Sequence, residues 1–535
     1  MKIKHIDKLQ WLFFSGIIMY GILLPLGANF GVIDDHTLLG TLFSDKRINF
    51  FIQPPIGRFY PLDAQEYNII SFFSLSPIVF YLYNMLQFLV VIFVLLRILG
   101  LLFPENNKKY LFSGIILLFV FSPGFVTAWF RLFVPERGAL VFFLVFLLMY
   151  LLYQKDQKNI YMIVGLTAAN IALYYKEPGF LMLGAFGFFH LIFAWKELNV
   201  RQKILDVLII FSSIGFVFTY FIVVYIHKGD GRYGNQPYNQ IIIFIKNVMN
   251  LILMDPFLGV TLFGLLGYRF YVIVTKKEKI EPLYDSMLLA SLAYVLVFFI
   301  LNMWAVHYFL PAYAFAIFGV AYFLQKKEYI KKIFFRTIIG VTVFFYTLCA
   351  FPFAVHLIDH YKNVPNNFQN TLNYIVPYIK NDINRTSIYF DGVNRGSGIE
   401  IYKSFGYYLN YKGLNNDQFD FKSNVPSNNS FLFSTADSTS SFTVYKNPDV
   451  SQINAGDLLI VTPFSSKNVD KEYLENLSVN YDMIYHADSI IDIPDFNIKN
   501  VLKYLFMRYR SKQMDEVVMS NNLLKWSDFY VFKKK

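Results

Sequence analysis

Two adjacent carboxylates, Asp34 and Asp35, stand in the tetrad Ile33-Asp34-Asp35-His36 directly after the first long apolar segment. Ionised groups are costly near hydrocarbon, so an acidic pair at a membrane boundary asks for a reason. Two close carboxylates repel, which raises the pKa of one toward the range where it can take a proton near neutral pH. The pair therefore reads as a general base or a cation site, and a divalent metal could sit beside it, although no further ligand set is evident. The plain alternative is that the pair marks the end of a span, where water solvates it. The same loop carries Gln53-Pro54-Pro55-Ile56-Gly57-Arg58-Phe59-Tyr60-Pro61-Leu62-Asp63. Arg58 has the planar fork that grips a phosphate; its bland alternative is an ion pair with Asp63 or Glu66.

Later short loops add polar groups beside apolar segments: Arg131 with Pro135-Glu136-Arg137, then Lys176-Glu177-Pro178, then Trp304 with His307 and Tyr308. Singly, each reads as snorkelling, a neighbouring charge pair or an interfacial aromatic. Together they supply cations and a titratable histidine to one side of the chain.

The elements that must hold these residues are apolar helices. Of 535 residues, 56% are hydrophobic and 19% aromatic, and runs of about 20 apolar residues recur through the first two thirds. Apolar windows near 10–30, 77–103, 111–130, 138–153, 160–175, 179–195, 205–227, 256–275, 285–305, 307–324 and 334–357 give about eleven spans of a polytopic α-helical membrane protein. The segment Trp11 to Phe30 is longer than a signal peptide's apolar core and lacks a clear cleavage site, so it reads as an uncleaved first span. The formal charge of +11 belongs to loops such as Lys108-Lys109, Lys276-Lys277 and Lys326-Lys327 rather than to a nucleic-acid surface. These basic loops fall on one side, which places the N-terminus in the cytoplasm and the loop 31–76 outside. High Lys, Asn, Ile, Phe and Tyr usage hints at a bacterial source. The single cysteine, Cys349, excludes an intramolecular disulfide and a thiolate metal cluster.

Within the first loop, Phe50-Phe51-Ile52 and Tyr67 to Phe73 read as short interfacial helices, and Pro237 to Leu253 as another. Beyond the last span the chain changes character. Strand-like runs at 387–390, 430–433, 442–445 and 457–461 alternate with helical stretches at 399–411, 470–477 and 497–513, as in a small extracytoplasmic α/β domain. The division expected is a membrane domain at 1–358 and a soluble domain at 359–535. The glycine-rich Gly392 to Gly398 lacks the Lys-Ser/Thr of a phosphate loop and reads as a turn. Walker A, HExxH and GxSxG motifs are absent from the sequence.

This layout resembles the polyprenyl-phosphate-dependent glycosyltransferases of the GT-C superfamily, among them protein O-mannosyltransferases, lipid A aminoarabinose transferases and O-antigen glucosyltransferases. Asp34-Asp35 match the acidic position that follows the first span in that superfamily, and Gln53-Pro54-Pro55 resembles a His-Pro-Pro motif with Gln in place of His. The resemblance covers the whole layout, but its motifs are short and assign no subfamily. It implies an enzyme of the bacterial cytoplasmic membrane that moves a hexose or pentose from a polyprenyl phosphate to a glycan, lipid or protein acceptor. Asp34 or Asp35 would deprotonate the acceptor hydroxyl. Arg58, Gln53, Arg131, Arg137, Lys176 and His307 would bind the donor, and no resident metal or other cofactor is assigned. A lipid-linked polysaccharide polymerase is the nearest alternative, although it would usually carry its large loops between late spans. A transporter would need polar residues at mid-membrane, for which Asn170 and Asn302 are the few candidates.

Overall fold

The structure, a computed structural model, describes residues 8–44, 46–104, 109–227, 240–382, 386–390, 398–415, 417–423, 449–450, 452–464, 471–498, 500–502 and 527–535. Helix α1 (Lys8–Leu23) leads to a 3-10 turn at Ile33–Asp35 and a short α2 (His36–Thr41). Strands β1 (Ile52–Gln53) and β2 (Arg58–Phe59) then form a small antiparallel hairpin, followed by α3 (Gln65–Ile70). The expected helix at Phe50 to Ile52 is therefore corrected to an extended segment. Pro54-Pro55 starts a 3-10 turn and Gly57 supplies the left-handed residue, φ 75°, that closes the hairpin.

The membrane helices are α4 (Pro77–Leu102), α5 (Lys109–Val120), α6 (Pro123–Phe130), α7 (Pro135–Asp156), α8 (Asn159–Tyr175), α9 (Gly179–Phe193) and α10 (Val200–Val223). They continue with α11 (Gln240–Met254), α12 (Phe263–Val274), α13 (Pro282–Ile300), α14 (Tyr313–Gln325), the short α15 (Lys327–Lys331), α16 (Ile333–Phe345) and α17 (Phe351–Asn381). Turns of π-helix at Phe257–Leu262 and Tyr346–Ala350 extend α12 and join α16 to α17. Among the described residues seven helical runs are long and apolar enough to cross a membrane, or eight if the bent pair α5–α6 counts as one. The 59° bend in that pair follows from Pro123, which cannot continue a helix, and from Ser122, whose hydroxyl caps the Phe125 amide. The shorter apolar helices α1, α8 and α9 coincide with the other three apolar windows, and α11 with the expected interfacial segment.

The chain separates into two compact units. The first comprises 1–24, 49–66 and 82–354, and the second 25–48, 67–81 and 355–535. The loop 31–76 is thus shared between them rather than belonging wholly to the membrane part.

The second unit contains β3 (Thr386–Phe390), α18 (Gly398–Tyr411), β4 (Phe419–Ser423), β5 (Asp449–Val450), β6 (Leu458–Val461), α19 (Lys471–Asn480), β7 (Tyr481–Ala487) and β8 (Phe529–Lys534). They form a six-stranded sheet of order β5-β4-β3-β6-β8-β7, parallel from β5 to β6 and antiparallel at β8 and β7. The central β3 and β6 are buried throughout, as continuous apolar strands in a covered sheet should be. Tyr389, Leu459, Val461 and Phe532 pack there against Leu474 and Leu477 of α19. The strand-like runs at 430–433 and 442–445 lie outside the described residues, as do most of 391–398 and the end of 497–513.

Candidate functional site

In the first unit the hairpin aims two side chains in opposite directions, as strand alternation requires. Phe59 is buried against Tyr174 and Phe216, while Arg58 turns to a polar cavity. Arg58 Nε donates to Glu177 Oε1 at 3.0 Å, and the Phe59 amide donates to the same oxygen at 2.9 Å. Arg58 is therefore paired with Glu177, not with Asp63 or Glu66 as its alternative reading had it.

Lys176 follows the end of α8 in extended backbone, so it and Glu177 take different partners. The Lys176 ammonium, almost wholly buried, lies 2.7 Å from Oε1 of the fully buried Glu136. It also stands over the rings of Tyr308 at 4.8 Å and Tyr60 at 5.5 Å. Burial alone would lower the Lys176 pKa, but the Glu136 and Glu177 carboxylates raise it, so the lysine stays charged.

Arg137 is buried and donates to the carbonyls of Ala128, Arg131 and Leu132 at 2.8, 2.8 and 3.0 Å. Its nearest carboxylate is Glu66, at 4.0 Å, which also accepts from the Tyr175 hydroxyl at 3.3 Å. Arg137 thus ties the α6–α7 turn together. Arg131 lies at that turn, and His307 stands within electrostatic range of Glu136, Arg131 and Lys176. Gly124 makes this approach feasible, because a Cβ there would meet the Val306 carbonyl at 2.6 Å. Gln53 is exposed on β1 and does not line the cavity.

Five groups of this cluster were not among the sequence candidates: Tyr60, Asp63, Glu66, Glu136 and Glu177. Asp63 is the most telling. No hydrogen bond or ion pair involves its carboxyl among the described residues, and burial, with Glu66 and Glu136 nearby, pushes its pKa well above the usual carboxylate range. The next residue, Ala64, is buried at φ 61°. A left-handed alanine costs roughly 1 kcal/mol or more, which the surrounding structure must hold in place. The sequence signal was the clustering of Asp63, Glu136 and Glu177 beside prolines at the ends of apolar runs.

The cavity beside Arg58, Lys176 and Glu177 has a volume of about 160 Å³, with Tyr220, Phe298 and Met303 among its other walls. It is smaller than the ~300 Å³ of ordinary ligand pockets, so it suits a head group rather than a whole molecule. An apolar groove of about 460 Å³ runs along α9, α10 and α13, lined by Phe180, Phe188, Ile210, Val217 and Ala293, with Ser213 its one polar side chain. The two share helices: Val217 lies about one turn from Tyr220, and Ala293 about one and a half from Phe298. A polar end and an apolar run along the same three helices are what an anionic amphiphile requires.

Asp34 and Asp35 fall in the second unit. Asp35 Oδ2 accepts from the Gly31 amide at 2.7 Å, and Ser404 Oγ of α18 accepts from the Ile33 amide at 2.7 Å. His36 lies 3.1 Å from the same Ser404 hydroxyl and stacks on Tyr407. Burial lowers the His36 pKa to about 4, with Lys403 adding to the shift and Asp34 opposing it. Ile33 has φ 72°, an outlier for a β-branched residue. The acidic turn is thus strained and clamped to α18, a connection no sequence spacing announces.

The polar residues offered for a transporter are accounted for locally: Asn170 Nδ2 donates to the Leu166 carbonyl and to Ser212. A buried trio missed from sequence joins α7, α9 and α10. The Tyr150 hydroxyl donates to Asp206 Oδ1 at 2.8 Å and His190 Nδ1 lies 2.7 Å from Oδ2. Their mutual satisfaction makes it a staple between helices. No group of three or more His, Cys, Asp or Glu among the described residues could hold a metal ion.

No family model matches the chain, and no curated protein does. Among solved structures, it is similar to the crystal structure of ArnT from Cupriavidus metallidurans bound to undecaprenyl phosphate. The likeness covers 90% of this chain and 97% of that one, with a TM-score of 0.46 and 12% identity. A likeness at that level carries no function across. The chain's own geometry must do so.

Proposed function

We propose that this multi-pass membrane protein is a glycosyltransferase that takes a sugar from a polyprenyl-phosphate donor and passes it to an envelope glycan, lipid or protein acceptor. One observation carries the reading: a small cavity with two cationic side chains, Arg58 and Lys176, shares three helices with an apolar groove. A lipid phosphate in the cavity would meet both cations while its tail followed the groove. Both cations already have carboxylate partners, so the phosphate would compete with Glu177 for Arg58.

In the reaction the acceptor oxygen bonds to the anomeric carbon, and the bond from that carbon to the phosphate oxygen breaks. The electron pair leaves with the lipid phosphate, where Arg58 and Lys176 stabilise the added charge. The acceptor's proton goes to a carboxylate. Within the first unit the raised pKa and unpartnered carboxyl of Asp63 suit it to that task. The superfamily resemblance assigns the task instead to Asp34 or Asp35, and the strained Ile33 beside them favours that second reading.

The test is transfer by purified protein from a radiolabelled polyprenyl-phosphate sugar, with envelope glycans of a deletion strain analysed by mass spectrometry to name the sugar. Arg58→Ala should lower transfer at least tenfold while the protein remains folded. Full activity in that variant would overturn the reading. Asp63→Asn and the double Asp34→Asn/Asp35→Asn variant then identify the base: the one that abolishes transfer carries it.

A further inference from the structure

The segment after β7 runs down α17 as an extended strap. Tyr485 stacks on Tyr374 with ring centroids 4.4 Å apart. Asn367 Nδ2 donates to Ser489 Oγ at 3.0 Å, and Asn363 Nδ2 to the Ile491 carbonyl at 2.7 Å. At the bottom the Ile493 amide donates to Asp359 Oδ2 at 2.8 Å, and His356 Nδ1 lies 2.7 Å from the Ile493 carbonyl. The helix partners thus descend from 374 to 356, about 27 Å at the α-helical rise. The strap from Tyr485 to Ile493 covers about 26 Å when extended, so the two lengths match.

The lower end of the strap reaches the level where apolar helices emerge. Helix α17 continues the 49-residue helical run Ile333–Asn381, of which a bilayer core takes about 20 residues. His356 therefore stands roughly one turn beyond the hydrocarbon. Lys362 marks the same level independently: its ammonium donates to the Leu26 carbonyl just past α1 and lies 5.5 Å from the ring of Tyr81, in the first turns of α4. At this height the strap turns its largest apolar side chains outward. Ile490 is fully exposed, Ile491 is 67% exposed and Phe496 57%. Asp488, Asp492 and Asp495 alternate with them, which limits how deeply the strap can enter.

We propose that the strap Ser489–Phe496 rests in the bilayer surface, with Ile490, Ile491 and Phe496 buried among lipid head groups and upper acyl chains. It holds the C-terminal α/β unit on the membrane by contacts additional to its helical tether. The occupant is lipid, because the strap is pinned to the helix at the height where that helix leaves the hydrocarbon. This inference is independent of the proposed reaction.

The experiment uses the full chain in phosphatidylcholine nanodiscs, with Cys349→Ala removing the one native thiol. A polarity-sensitive fluorophore is attached to Ile490→Cys or Ile491→Cys, and to Val479→Cys, exposed at the end of α19, as the reference. Labels at 490 and 491 should be quenched at least twofold more by bromine-carrying lipid chains than the label at 479, and correspondingly less by iodide in the water. Equal quenching at all three positions, by either agent, would overturn the proposal. So would protection of 490 and 491 from both agents, which would point to a protein surface covering the strap.

Discussion

Neutralising one side of the Glu136–Lys176 pair should destabilise the first unit sharply, whereas neutralising both should not. The Glu136 carboxylate is fully buried and its 2.7 Å contact with Lys176 offsets its loss of water. Lys176→Met would strand that charge, at a cost of about 3–5 kcal/mol for a buried pair broken from one side. The lost contacts with Tyr308 and Tyr60 would add about 1 kcal/mol. In a unit of this size, at about 2 °C per kcal/mol, the unfolding midpoint should fall by roughly 6–12 °C. Adding Glu136→Gln to the same chain removes the stranded charge and should recover most of that loss. The measurement is a thermal melt of the four proteins of the cycle in one detergent at fixed protein concentration. A single Lys176→Met variant within about 1 kcal/mol of the parent would refute the reasoning, and so would a double variant whose loss equals the sum of the singles. The stabilised double variant should still fail to transfer sugar, which separates the structural from the proposed catalytic role of Lys176.

Three further outcomes follow from particular contacts. His36, held neutral with a pKa of about 4 in the fold, supplies stability that is present above its unfolded pKa of about 6.5 and is lost as pH falls through 4. That is about 3 kcal/mol at full loss, and His36→Asn should flatten the acid limb of a melt-versus-pH curve. Asp63 has the opposite sign: its raised pKa means the folded state loses relative stability as pH rises above the usual carboxylate range, so Asp63→Asn should melt higher than the parent at neutral pH. If Asp63 is the base, transfer by the parent should also rise with pH through that raised pKa. Gly138→Ala would place a methyl group 2.5 Å from the Tyr175 ring and push it off Glu66, costing about 1–3 kcal/mol in the same melt.

Much of the architecture was legible in the chain because lipid leaves few choices: a backbone in hydrocarbon must satisfy itself, so apolar runs of span length become helices. Pro123, Pro135 and Pro282 start helices for the same local reason, and the buried runs at 387–390 and 457–461 became the central strands β3 and β6. The hairpin around Arg58 was misread at Phe50 to Ile52 because a short aromatic run has no period of its own, and cross-strand pairing decided it. Partner choice was also beyond sequence. Lys176 and Glu177 are neighbours that ignore each other, and the Gly31–His36 turn finds its clamp at Ser404, far along the chain. Sequence determined which groups carry charge and that they stand at the ends of apolar helices. Tertiary packing alone decided that Asp63 has no partner and that the acidic turn belongs with α18, because pairing and desolvation depend on which elements converge in space.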